Sequence, residues 1–119
     1  MGQVLNFFPL TIFKSRIDLT KEKKTEMIEE ILAMEKKSKN IDYKNESSAW
    51  TGDTQGFEYI HNNPIFDDFF IAVKKAIIEY LNVLEIDHDQ LDIFIQRSWA
   101  TISREKENIA LHKHLQSHL

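Results

Sequence analysis

Apolar residues fall into two different rhythms along this chain. Between Thr20 and Lys37 they recur three and four apart. Met27, Ile28, Ile31, Leu32 and Met34 then share one side of a projected helix. Thr20 stands where a side-chain oxygen can accept from a free N–H of the first turn, so it is the expected cap. The interspersed Lys and Glu read as a solvated face. The helical rhythm returns after "NNP". Phe66, Phe70, Val73, Ile77, Tyr80 and Leu81 or Leu84 form a stripe that Phe69 broadens. Asn63 is the candidate cap. Pro64 suits the first helical position, where its missing N–H would be unpaired anyway. Asp67 and Asp68 suit the positive end of the helix dipole. An aromatic stripe of this kind reads as core rather than as a ligand box.

The second rhythm is alternation. In "IFIQRSWATIS", Ile93, Ile95, Arg97, Trp99 and Thr101 face one way, and Phe94, Gln96, Ser98 and Ala100 the other, which predicts a strand. "REKEN" reads as a charged turn. "IALHKHLQSHL" then reads as a second strand, antiparallel to the first. Near the start, "VLNFFPLTIFKSRI" is rich in β-branched and aromatic residues. Pro9 interrupts it, giving two short extended pieces or an edge strand. Between the helices, "SKNIDYKNESSAWTGDTQGFEYIHNN" is a long polar loop with a short strand expected around Trp50 and a turn at "TGD". Loops of this length in compact domains often carry function. The expectation is a single α+β domain over residues 1–119, with strand and helices in 1–90 and further strands in 91–119.

Composition narrows the function. Nineteen acidic residues against fifteen basic ones give a net charge of −4, which argues against nucleic acid as the default partner. There is no cysteine, so a disulfide framework and a thiolate zinc site are excluded, and any metal falls to His, Asp or Glu. No apolar run is long enough for a bilayer, and the start lacks a secretory pattern. Asn6 stands where a myristoylation signal wants Ser or Thr. These features lead to the expectation of a cytoplasmic protein without a membrane partner.

The histidines carry the clearest chemistry. His112, His114 and His118 fall within the last eight residues. On a strand, His112 and His114 at i, i+2 share a face and can converge on one ion. The plainer alternative is two surface histidines. His118 shares their parity in a regular strand and is a pocket candidate. Arg97 and Trp99 share a face, and Arg97 could bind an anion. Trp50 and Trp99 could line a pocket, with a core role favoured for Trp99. Asp53 could reach a site, although a turn is the simpler reading. His61 and His88 lie in polar stretches and are expected to be exposed. The chain has no G-x-S-x-G, no phosphate-binding loop and no dinucleotide fingerprint.

The order "NFFPLTIF", "SSAWTGD", "PIFDDFFIAVKKAIIEYL", "RSWATIS", "HKHLQSHL" resembles the 2-oxoglutarate/Fe(II)-dependent oxygenase family seen in marine bacteria and phages. The resemblance spans nearly the whole chain, and its strongest pieces are "RSWATIS" and "HKHLQSHL". It implies a double-stranded β-helix, a jelly roll of about eight strands. It also implies Fe(II) and 2-oxoglutarate as cofactors and a small-molecule or peptide substrate. His112 matches the first His of the family motif. His114 stands where the wider superfamily usually has a carboxylate. In such enzymes the distal His and the basic anchor for 2-oxoglutarate follow much later. The resemblance therefore implies a C-terminally truncated fragment, inactive alone, and the apolar Leu119 fits that expectation. The alternative is a small non-enzymatic α+β binding module, forming a homo-oligomer through exposed strand edges. A zinc hydrolase using H-x-H would need further ligands that the sequence does not show.

Overall fold

The computed structural model describes residues 2, 11–38 and 48–112. Its first regular element, α1, spans Lys21–Lys37. The Thr20 hydroxyl accepts from the Lys23 N–H at 3.2 Å, as its position predicts. Glu22 sits in the first turn and Lys36 and Lys37 in the last, each matching the helix dipole. The helix stops at Ser38, whose N–H bonds the carbonyls of Met34 and Glu35. Met34 is buried, with Met27 and Ile31 packed beside it. Ile28 stays more than half exposed, so the buried stripe is narrower than the predicted one.

The second helix is entered through a short 3₁₀ turn, Pro64–Phe66, which runs into α2 (Asp67–Val83). Asn63 caps the turn: its side-chain oxygen accepts from the Ile65 N–H at 3.1 Å. Its amide also donates to Glu30 at 3.2 Å, and Lys23 lies 3.7 Å from Asp68, so the entry to α2 is tied to α1. Of the predicted stripe, Phe66 alone is fully buried, and α2 itself holds no buried residue. Phe70 reaches the core edge, whereas Ile71 and Val83 are each 66% exposed. Tyr80 is covered from another direction. Phe13 stacks on its ring at 5.5 Å, and its hydroxyl donates to the Thr11 carbonyl.

Among the described residues the sheet has two strands. Within the polar loop, β1 (Trp50–Thr51) pairs antiparallel with β2 (Thr101–Ile102), Trp50 facing Ile102. The strand expected around Trp50 is present. The pairing continues as Gly52 N–H to Ala100 O and Ala49 N–H to Asn108 O, both at 2.9 Å. Gly52 gives room here: a Cβ would sit a tight 3.0 Å from the Phe57 carbonyl oxygen, so that backbone would have to give way. The chain then folds back through 3₁₀ turns Gly52–Gln55 and Ile60–Asn62. Trp50, Ile60, Phe66 and Met34 meet as the buried cluster, flanked by Phe57, Ile65, Ala100 and Ile102.

Two expectations about strands are corrected. The strand predicted over 93–103 is reduced to Thr101–Ile102, with one further bridge from Ser98 to Tyr59. Alternation sets side-chain parity, but a ladder also needs a partner, and residues 92–97 have none among the described residues. Its predicted antiparallel partner does not take that place either. Ile109–His112 is not strand, Asn108 bridges Ser48 in parallel, and β1 occupies the edge of β2. Residues 113–119 and the start of the N-terminal extended pieces, 3–10, lie outside the described residues. The charged turn is found at Glu105–Lys106, where Lys106 takes φ 67°.

Phe66 is 1% exposed and joins both helices to the sheet. Phe66→Ala is expected to cost about 3–5 kcal/mol, with a smaller loss for Phe66→Leu, read from urea midpoints at constant m-value.

Candidate functional site

The segment that leads to His112 is well anchored. Residues 101–102 pair with β1, and Asn108 holds Ala49. Between them Arg104 grips Glu35 of α1 with two bonds, 2.8 and 2.6 Å long. The Glu35 contact, through hydrogen bonding first and charge second, raises the Arg104 pKa above its usual value. Four residues after Asn108, the exposed His112 ring places Nδ1 2.9 Å from the Ala110 carbonyl oxygen. A carbonyl only accepts, so Nδ1 carries the proton and Nε2 is the basic nitrogen of the neutral ring. His114 and His118 lie outside the described residues. Among the described residues, no group of three or more His, Asp or Glu is placed to hold a metal. Any centre built on His112 therefore needs ligands from elsewhere, His114 first.

The other predicted site residues are distributed differently. Arg97 and Trp99 do come together, with the guanidinium carbon 5.3 Å from the indole centroid. Arg97 also bonds Glu58, so a carboxylate of the chain itself already answers its charge. The two tryptophans exchange roles. Trp50 is core, 6% exposed, and its Nε1–H donates to Ser38 Oγ at 3.0 Å. Trp99 is half-buried beneath Arg97. Asp53 serves its turn, accepting from the Thr51 hydroxyl at 2.6 Å.

His61 and His88, expected to be exposed, are both half-buried. His88 lies 3.4 Å from Asp89. His61 belongs to a built arrangement. Its backbone N–H donates to Ser98 Oγ at 3.0 Å, and its Nδ1 lies 2.5 Å from the same oxygen. Phe70 and Tyr59 meet the ring edge-on, with centroids 6.0 and 6.2 Å away. The His61 ring lines a groove of about 550 Å³ between α2 and residues 93–95, together with Asp67, Phe70, Lys74, Ile93 and Ile95. The sequence reading missed this group. Its one signal was the shared spacing of Asp67, Phe70, Ile71 and Lys74 on a helix face, because His61 and Ser98 are 37 residues apart.

Among the described residues, no helix is long and apolar enough to cross a membrane. No family model matches the chain, and neither curated proteins nor solved structures give a match.

The Ser98 hydroxyl closes two contacts of the 60–62 turn. Ser98→Ala is expected to lower stability by about 1–3 kcal/mol and to shift the His61 ring-nitrogen resonances, checked by denaturation and ¹⁵N-detected imidazole NMR.

Proposed function

We propose that the chain supplies the helical layer, the first strands and the His112-x-His114 metal-ligating motif of a jelly-roll oxygenase dependent on Fe(II) and 2-oxoglutarate. The observation that carries this reading is the tautomer of His112. A metal-ligating imidazole commonly gives its second N–H to a carbonyl, which orients the ring and raises the basicity of the ligating nitrogen. The Ala110 carbonyl, 2.9 Å from His112 Nδ1, is in a position to play that part. The fit is partial within the described residues, which contribute His112 alone. His114 is the proposed second ligand.

When bound, Fe(II) with 2-oxoglutarate supplies O₂-dependent hydroxylation coupled to decarboxylation of the co-substrate. The part played by these residues is positional. Arg104 on Glu35 and Asn108 on Ala49 hold the backbone that leads to His112. A ligand carried on such an anchored segment loses less conformational freedom on binding the ion. A small-molecule or peptide substrate would enter beside it.

A second reading is a non-enzymatic α+β binding module. It is supported by the 92–97 segment, which has no backbone ladder partner among the described residues and where Phe94 is 73% exposed. Such an edge can take another strand, including one from a second copy.

Calorimetric titration with Mn(II) separates the two readings. The expected outcome is binding that His112→Ala weakens at least about tenfold, as loss of a direct ligand should. Absence of any metal response from folded protein would favour the module.

A further inference from the structure

The geometry points to a second site: the groove between α2 and residues 93–95 binds a small monocarboxylate with an apolar body, held by His61 and Lys74. It rests on none of the metal reading, since His112 and His114 take no part.

The donor at this site follows from Ser98. Its oxygen accepts the His61 backbone N–H, and the only acceptor near its own proton, among the described residues, is His61 Nδ1. Ser98 therefore donates to Nδ1, and the proton of the neutral ring resides on Nε2. That N–H has no protein acceptor among the described residues. The ring that carries it lines the groove and is held in place by Phe70.

Lys74 stands one turn beyond Phe70 on the same face of α2 and lines the same groove. No carboxylate pairs with it among the described residues; the ion pairs near α2 use Lys23 and Asp68 instead. An imidazole N–H donor and an ammonium, each without a partner among the described residues, suit a carboxylate. Asp67 lies two turns before Lys74, about 10 Å along the axis. Its negative charge disfavours a dianion and places a single anionic head at the Lys74 end. Apart from Asn62, the remaining walls are Phe70, Ile71, Ile93, Phe94 and Ile95, which call for a largely apolar body. A volume of about 550 Å³ is in the range of small-ligand sites.

The test uses the full chain in metal-free buffer, with ¹H–¹⁵N NMR titration by 3-phenylpropionate, 3-phenylpropylamine and 2-oxoglutarate. Saturable binding of 3-phenylpropionate is expected, with shifts at His61 and Phe70 and little response to the amine. Lys74→Gln should weaken it about three- to fivefold, the scale of one exposed ion pair, while the adjacent Lys75→Gln leaves it unchanged. Four results would each overturn the proposal: no saturable binding, equal binding of the amine, tighter binding of 2-oxoglutarate, or no effect of Lys74→Gln. Both lysines are exposed on the helix, so neither variant threatens the fold.

Discussion

The buried contact of Phe66 with Trp50, Met34 and Ile60 is the constraint on which the other elements depend. Each of the four residues comes from a different piece of chain: the turn before α2, β1, α1 and the 60–62 turn. None of these pieces could stand alone. A two-stranded sheet of two residues per strand is too small to be stable in water. Helices of 17 residues with mixed faces gain most of their stability from packing. Burying a large aromatic side chain contributes about 2–3 kcal/mol, so Phe66 and Trp50 account for a sizeable share of what holds these pieces together.

Polar contacts then decide how the pieces register against that cluster. Trp50 keeps its indole N–H satisfied on Ser38, the residue that also ends α1, so the helix terminus and the sheet are fixed to each other. Arg104 on Glu35 ties the turn after β2 to the same helix. Ser98 on His61 joins the chain before β2 to the turn before α2. Of the two candidate sites, one draws on His61 and Lys74 in the middle of the chain and the other on His112, four residues beyond the Asn108–Ala49 contact.

Much of the local structure was legible from residue order. Thr20 caps the helix it was expected to cap, because a capping bond spans two or three residues and needs no distant partner; Asn63 caps the 3₁₀ turn that leads into α2 rather than α2 itself. The strand near Trp50 and the turn in "REKEN" are also where the pattern put them. The 93–97 segment shows the limit: alternation identified an extended stretch, but its ladder partner is not a property of the stretch itself. The exchange between Trp50 and Trp99 has the same origin. Both are tryptophans in stretches the sequence reads as extended, and only the placement of α1 and Phe66 made one of them core.

The sequence by itself determined the helices, their caps, the absence of thiolate chemistry and the i, i+2 spacing of His112 and His114. All of these follow from residues within one turn or one strand of each other, or from composition. Tertiary structure alone decided that Arg97 is answered by Glu58. It also decided that Ser98 sets the His61 tautomer and that a groove opens beside Lys74. Those outcomes join residues far apart along the chain, and separation in sequence carries no record of which distant groups packing will bring within hydrogen-bonding reach.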